Sequence, residues 1–265
     1  MTGALQDLLA TLSGSLVGLV LGLVGGGGSI IAVPLLLYVV AIGAPHVAIG
    51  TSAIAVALSG FYNLIGHARN GMVKWRCALV FSAAGIAGAW AGSKLAMMID
   101  GQKLLLAFGL LMIVVGTVMA LKRDAEGNPA VRLSASTARE LLPLLIGIGM
   151  AVGALSGFFG IGGGFLIVPG LMLATGMPVA YAIGTSLVAV TAFGATTAAN
   201  YALAGLIDWR IAGFFILGGV IGGTLGTLLS RRLAQRKSLL ATVFAGFVIL
   251  IGAYVTWKGL APLLA

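Results

Sequence analysis

The sequence predicts an all-α integral membrane protein with about ten membrane segments, arranged as two inverted repeats of five. Composition carries the first part of this prediction, because hydrophobic residues make up 60% of the 265 residues and charged residues only 8%. A soluble domain has roughly a quarter of its residues charged, so this chain has too few to cover a surface in water. A duplicated motif pattern and the placement of the basic residues carry the rest.

The apolar segments set the number of predicted helices. Backbone groups in lipid must satisfy their own hydrogen bonds, so each segment is predicted to be helical. Several segments exceed the roughly 18 residues typical of a membrane-spanning helix. Two are short, and both follow a run of glycines. The segments are 4–24, 30–43, 46–66, 77–93, 104–121, 141–159, 165–176, 179–204, 211–229 and 239–257.

One long polar stretch, "KRDAEGNPAVRLSASTARE", runs from Lys122 to Glu140. Its Gly, Pro, Ser and mixed charges are typical of an exposed linker. It divides the chain into a first membrane repeat (1–121), a polar linker (122–140) and a second membrane repeat (141–265).

The two repeats share an ordered set of residues. A shift of 135 positions carries the glycines of the first segment and a proline after the first glycine run onto the second repeat. A shift of 134 superimposes two copies of "AIGTS" and two Trp-Arg pairs. Chance does not readily supply such an ordered set, so we infer a duplication. The matched residues are Gly14, Gly18, Gly22 and Pro34 with Gly149, Gly153, Gly157 and Pro169, then Ala48–Ser52 with Ala182–Ser186, and Trp75-Arg76 with Trp209-Arg210.

The basic residues predict the topology. If all ten segments cross the membrane, 11 of the 15 Lys and Arg residues fall on one side and 4 on the other. The richer side is predicted to be cytoplasmic, which places the linker inside and both termini outside. The net charge of +9 therefore reflects this bias, and no nucleic-acid partner is expected. Five segments per repeat is an odd number, so the second repeat enters from the opposite face, as in many secondary transporters.

Glycines spaced by four residues differ in role from the consecutive ones. Gly14, Gly18 and Gly22 lie on one helical face, where another backbone can approach closely. Gly218, Gly222 and Gly226 follow the same spacing. These stripes predict helix packing.

Consecutive glycines each cost about 1 kcal/mol in a helix interior relative to alanine, and they permit a sharp turn with positive φ. A new helix then begins, with Ser29 as a candidate N-cap in the first repeat. Its free N–H groups point into the break, so two breaks that meet near the membrane midplane would form an anion-binding cradle. The alternative is a structural kink without a ligand. The predicted cradle residues are Gly25, Gly26, Gly27, Gly28 and Ser29, with Gly162, Gly163 and Gly164.

Polar side chains at membrane depth supply the remaining substrate-binding candidates. Thr51 and Ser52 recur as Thr185 and Ser186, each pair directly after a glycine. Their hydroxyls are predicted to face the anion, although hydroxyls in helices also bond back to their own backbone.

Asn63 and Asn200 lie toward the ends of their segments. Each amide either donates to an oxyanion or caps a helix.

The sequence argues against catalysis and against a cofactor. Cys77 is the only cysteine and there are two histidines, so neither a disulfide within the chain nor a metal site is predicted. Intramembrane catalysis needs clustered His, Asp, Glu or Cys. No nucleotide-binding motif is present, so active transport driven by ATP would require another subunit.

The motif pair "GGGGSIIAVP" and "GIGGGFLIVP", together with the repeated "AIGTS", resembles the sulfite exporter TauE/SafE family, also called the 4-toluene sulfonate uptake permease family. The resemblance covers nearly the whole chain. The two copies differ, because Ser29 stands where the second copy has Gly164, and no aromatic residue matches Phe165. The resemblance implies a carrier of the bacterial inner membrane for sulfite, organosulfonates or other sulfur compounds.

Together these observations predict a secondary transporter of small sulfur-containing anions, working by alternating access around a midplane site. The alternative is an anion channel of the same architecture. The expected partners are the anion and the lipid bilayer.

Overall fold

The fold is helical throughout the part that the computed structural model describes, which comprises residues 3–121, 133–134, 137–160, 164–232 and 237–264. The first repeat contains α1 (Gly3–Val24), a 3₁₀ segment (Gly25–Ile31), α2 (Ala32–Pro34), a π-helical segment (Leu35–Val39), α3 (Pro45–Arg69), α4 (Trp75–Met97) and α5 (Gly101–Leu121). The second contains α6 (Ala138–Phe159), α7 (Gly164–Thr175), α8 (Val179–Leu203), α9 (Trp209–Arg232) and α10 (Lys237–Leu264).

Seven helices in the described ranges are long and apolar enough to cross a membrane, and three shorter apolar helices accompany them. The prediction of an all-helical membrane protein is therefore confirmed. Large apolar side chains cover the outside of the bundle, including Trp75, Trp90, Trp209 and Trp257, which are all exposed. Such a surface is suited to lipid and not to water.

Helix α6 begins at Ala138, so the last three residues of the predicted linker are helical. Residues 122–132 and 135–136 of that linker lie outside the described ranges.

Helices α1 and α9 pack through their glycines. A Cβ atom added to Gly14 would overlap the carbonyl oxygen of Phe215, and one added to Gly18 would overlap that of Gly219. Gly22 meets Gly223 and the residues after it. The contacts ascend together along both helices, so α1 and α9 run parallel.

Helices α4 and α6 repeat this arrangement at the positions given by the sequence shift. Their contacts also ascend together, so these helices are parallel as well. Each added Cβ atom on α6 would again meet backbone atoms of its partner. The pairs are Gly149 with Phe81, Gly153 with Gly85, and Gly157 with Ala89.

Helices α3 and α8 form the centre of the molecule. Buried residues make up 72% of the most apolar stretch of α3 and 56% of that of α8, a larger share than in any other helix that could span a membrane. The two helices are antiparallel, because Gly60 faces Val190 whereas Gly50 faces Tyr201. Helices α5 and α10 pair with each other beside this core. The principal helix pairs thus each join one helix from the first repeat to one from the second.

Candidate functional site

The first glycine run bends the chain back toward α1. A Cβ atom added to Gly28 would lie 2.6 Å from the Leu21 backbone nitrogen and 3.0 Å from the Val17 carbonyl oxygen. A straight helix would carry Gly28 about 10 Å beyond Leu21. The run therefore returns to the depth of Gly18, which packs near the middle of α9.

Ser29 lies fully buried inside the 3₁₀ segment. The α-helix that follows has Ile31 at its N-cap position, with no side-chain cap hydrogen bond. The prediction that Ser29 is the N-cap is therefore wrong. The chain leaves the glycine run through 3₁₀ turns and passes gradually into α-helix, so no single residue caps the new helix.

The second glycine run starts with a left-handed residue. Helix α6 ends at Gly160, which has φ of 66° and donates its N–H to the Gly157 carbonyl at 3.3 Å. Glycine adopts this conformation without the steric cost that a Cβ atom brings. Gly162 and Gly163 lie outside the described residues. Gly164 is the buried first residue of α7, a helix of 12 residues.

The two glycine-rich regions lie near each other. Helix α7 packs against the 3₁₀ segment, which also contacts α8. Ser52 on α3 donates its hydroxyl to the Gly160 carbonyl at 3.1 Å and to the Ile49 carbonyl at 2.8 Å. Ser186 on α8 repeats the local part of this pattern, donating to the Ile183 carbonyl at 2.7 Å. The serines of the duplicated motif thus lie on the helices that contact the two runs.

Each threonine of the duplicated motif holds a turn of the other repeat. Thr51 Oγ1 accepts the backbone N–H of Asp208, and Thr185 Oγ1 accepts that of Lys74, both at 3.0 Å. Both threonines are fully buried. A hydroxyl that accepts a hydrogen bond keeps its own proton for a second partner, such as an oxyanion.

The glycine before each threonine makes this approach possible. A Cβ atom added to Gly50 would overlap the Leu206 carbonyl oxygen, and one added to Gly184 would overlap that of Met72. The repeated "AIGTS" therefore packs one repeat against the other.

The two asparagines bridge helix pairs. Asn63 donates to the Ser59 carbonyl at 2.9 Å and accepts the Thr227 hydroxyl at 3.1 Å, which links α3 to α9. The adjoining Gly223 also packs against Gly22, three residues before the first glycine run.

On the other helix pair, Asn200 donates to Ser93 Oγ at 2.6 Å, which links α8 to α4. It also donates to the Trp90 carbonyl at 3.3 Å. The neighbouring Ala89 packs against Gly157, three residues before Gly160. Each amide therefore lies beside a helix end that leads into a glycine run.

Sequence reasoning missed several buried hydroxyls around these helices. Ser59, Ser82 and Ser156 are at most 5% exposed, and their oxygen atoms have no hydrogen-bond partner among the described residues. Spacing offered a signal for Ser59, which lies one helical turn before Asn63 on the same face. Among the described residues, no three His, Cys, Asp or Glu side chains lie close enough together to hold a metal ion.

Comparison with known proteins identifies a family and several relatives. The family model described as "Sulfite exporter TauE/SafE" matches residues 10–255. A probable membrane transporter protein of Xylella fastidiosa (strain Temecula1) is 51% identical over 267 residues, covering 98% of this chain and 99% of that protein. The probable membrane transporter protein YunE of Bacillus subtilis is 28% identical, covering 93% and 96% of the two chains.

No solved structure matches the chain significantly. The match to the family model spans almost all of the described helices, and the most similar of these relatives aligns over its full length. The chain therefore belongs to the sulfite exporter TauE/SafE family of membrane transporters.

Proposed function

We propose that this protein is a secondary carrier of small sulfur-containing anions, with the substrate site between the two glycine runs. The observation that carries the proposal is the reciprocal contact of the repeats. Thr51 and Thr185 of the two "AIGTS" copies each accept a backbone N–H from the other repeat, at opposite ends of the α3–α8 pair, and α7 of the second repeat contacts the 3₁₀ segment of the first. An interface of this kind between two similar halves is where many secondary transporters bind substrate.

Helix directions support an inverted relation of the repeats. The parallel pairs α1–α9 and α4–α6 and the antiparallel pairs α3–α8 and α5–α10 fit ten segments that alternate in direction. Exchange of the repeats turns the α1–α9 pair into the α6–α4 pair and leaves the α3–α8 and α5–α10 pairs unchanged. Rocking of one repeat against the other would then open the site to each side in turn.

Backbone and hydroxyl groups supply the attraction for the anion in this proposal. The N-terminus of α7 contributes roughly half a unit charge. Thr51 and Thr185 are proposed to add hydroxyl protons from opposite ends of the α3–α8 pair, and Ser29, Ser52 and Ser186 further hydroxyls. Asn63 and Asn200 are proposed to lie along the path by which the anion reaches the site. Because none of the described residues is a buried Lys or Arg, binding is expected to be modest and exchange easy, as a carrier requires.

Transport by purified protein in liposomes tests the proposal. The panel comprises sulfite, sulfate, thiosulfate, sulfoacetate and taurine, each with and without a pH gradient. A carrier shows a saturable rate and acceleration by substrate on the far side. Saturation without that acceleration, or a rate linear in concentration, would favour the anion channel of the same architecture.

Substitutions in the glycine runs test the site itself. Gly27→Val and Gly163→Val are expected to abolish or strongly weaken transport, because a branched side chain fills the cradle, and Ser29→Ala to have a milder effect. Gly43→Val is the matched control, since a Cβ atom there meets nothing within 4 Å. Well-folded Gly27→Val and Gly163→Val proteins that bind the anion with unchanged affinity, measured by calorimetry, would place the site elsewhere.

The same proposal places the richly basic side of the protein in the cytoplasm of a bacterial inner membrane, with both termini outside. Cysteines introduced as Thr2→Cys and Ser136→Cys in a Cys77→Ser background report the two faces to an impermeant thiol reagent. In intact cells, Thr2→Cys should be labelled and Ser136→Cys protected. External labelling of Ser136→Cys would reject this orientation.

A further inference from the structure

The two parallel helix pairs end differently at their N-terminal ends. At the α1–α9 end, Arg210 donates to Asp7 Oδ2 at 2.7 Å and forms an ion pair with it. Asp7 is 17% exposed, so this carboxylate lies partly within the helix interface. The arginine at this end therefore has a built-in counterion.

The equivalent end of the α4–α6 pair lacks that carboxylate. The sequence shifts of 134 and 135 place Arg76 on Arg210 and Leu142 on Asp7. Arg76 donates to the Leu133 carbonyl at 3.3 Å, and within the described ranges it forms no ion pair. One end thus pairs its arginine with a carboxylate, whereas the described residues at the other end provide none for Arg76.

A groove of about 390 Å³ occupies this place. Its walls are mainly apolar, with Leu79 and Val80 from α4 and Leu142 from α6, and Arg76 and Ser134 supply polar groups. Leu79 is 60% exposed, so the groove opens to the outside of the bundle, next to the exposed Trp75. An exposed tryptophan at a helix end is typical of the boundary between lipid and water.

Arg76 is the one charged side chain among the described residues that line the groove. Arg69 ends α3, Lys74 precedes α4 and Arg139 lies in the first turn of α6, all at the same end of the molecule. Glu140 is the acidic residue in the first turn of α6, and like these three basic residues it does not line the groove, so the nearby described charges are three basic and one acidic. Basic pockets between membrane helices attract anionic headgroups, while apolar walls suit an acyl chain.

We propose that this groove binds one anionic phospholipid, with its phosphate on the Arg76 guanidinium and an acyl chain along Leu79, Val80 and Leu142. The site is separate from the glycine runs and does not depend on which anion the protein carries. A free anion would use Arg76 alone, whereas a lipid uses the apolar walls as well. The amount of apolar wall relative to polar groups favours the lipid.

Lipid titration followed by native mass spectrometry tests the proposal on the purified full-length chain. Phosphatidylglycerol and phosphatidylcholine with the same acyl chains serve as probes. The wild-type protein should bind the first at least about fivefold more tightly, which is the factor that one basic residue near an anionic surface supplies. Soluble glycerol phosphate should compete poorly, because it lacks the acyl chains.

Two variants remove the preference by different routes. Arg76→Gln deletes the charge, and Leu142→Asp copies the carboxylate of the other end while keeping every basic residue. Both should reduce the preference to less than about twofold. Arg210→Gln is the matched control, since that arginine is already paired, and it should retain the wild-type preference.

Thermal melting and size-exclusion profiles check that each variant is folded, and either variant alone suffices for the test. Unchanged phosphatidylglycerol preference in a folded Arg76→Gln or Leu142→Asp protein would overturn the proposal. So would equal binding of the two lipids by the wild-type chain, or displacement of phosphatidylglycerol by equimolar glycerol phosphate.

Discussion

The α1–α9 and α4–α6 helix pairs share the same glycine contacts along their length, but they differ in the side chains around those contacts. In both, glycines on one helix meet backbone atoms of the other, at positions related by the sequence shift. Only glycine permits such an approach, so the two pairs share their backbone geometry. Side chains around that geometry are free to differ, as Asp7 and Leu142 do at the ends.

The central helices differ in the same way. Ser59 on α3 packs against Gly219 of α9, whereas the equivalent Phe193 on α8 packs against Gly85 of α4. The Phe193 ring also stacks on Phe81, with ring centroids 6.2 Å apart. The seam between α3 and α9 is therefore small and polar, and the one between α8 and α4 is filled by aromatic rings. Helix pairs with similar backbone contacts thus carry different side chains where they meet the central helices.

The largest expected effect tests the shared backbone geometry. A Cβ atom at Gly222 would overlap the Ser15 carbonyl oxygen, and at the equivalent Gly88 it would overlap that of Met150. Gly222→Leu and Gly88→Leu should each lower the yield of folded protein at least about tenfold, which corresponds to about 1.4 kcal/mol. Fluorescence-detected size-exclusion chromatography measures this yield.

Gly213→Leu is the matched control on α9, because an added Cβ atom there meets nothing within 4 Å. If Gly222→Leu folds as well as Gly213→Leu, the close packing of α1 and α9 is not required. If only one of Gly222→Leu and Gly88→Leu fails, the two pairs are not equivalent.

The next prediction tests the difference between the α3–α9 contact and the α8–α4 contact. Phe193→Ala should destabilise the protein by roughly 2–4 kcal/mol, slightly less than in a soluble core, because its unfolded reference remains in lipid. Ser59→Ala should be neutral or stabilise by up to about 1 kcal/mol, since it removes a buried hydroxyl with no partner among the described residues. Unfolding of purified protein in mixed micelles measures both. Equal destabilisation by the two substitutions would contradict the difference between the seams.

A smaller effect is expected at the hydrogen bond between Thr185 and the Lys74 N–H, which joins the two repeats. Thr185→Ala removes the acceptor of the Lys74 N–H and should cost about 1–2 kcal/mol of stability, with the folded yield largely kept. Under the proposed function this hydroxyl also donates to the anion, so transport per folded molecule should fall further. Thr185→Ser should restore most of both quantities. A Thr185→Ala protein that loses folded yield as severely as Gly222→Leu, with unchanged transport per folded molecule, would assign this threonine a purely structural role.

The smallest effect concerns the ion pair at the α1–α9 end. Arg210 is 58% exposed, so water and salt screen its attraction to Asp7. Asp7→Asn should lower stability by no more than about 0.5 kcal/mol. Melting temperatures at low and high salt provide the measurement, and the difference between variant and wild type should shrink as salt rises. A large loss that persists at high salt would indicate that Asp7 acts through more than this pair.

Local sequence features determined the membrane class and the helices. Long apolar segments need internal backbone hydrogen bonds in lipid, so their length alone predicts helices close to where α1, α3 and α8 lie. Spacing by four residues likewise placed Gly14, Gly18 and Gly22 on one packing face. The spacing of glycines and the hydrophobicity of a segment depend only on residues close together in the chain. Both can therefore be read from the sequence.

The partners of those faces were decided only by the tertiary structure. The residues around Gly18 do not specify that it packs against Gly219, and those around Thr51 do not specify that it accepts the N–H of Asp208. The structure likewise places Leu142 in the same groove as Arg76. The path of the first glycine run also depends on the space that α1 and α7 leave for it, so Ser29 became a buried 3₁₀ residue and not a cap. Such contacts join residues far apart in the chain, and their energies exist only after the helices have packed.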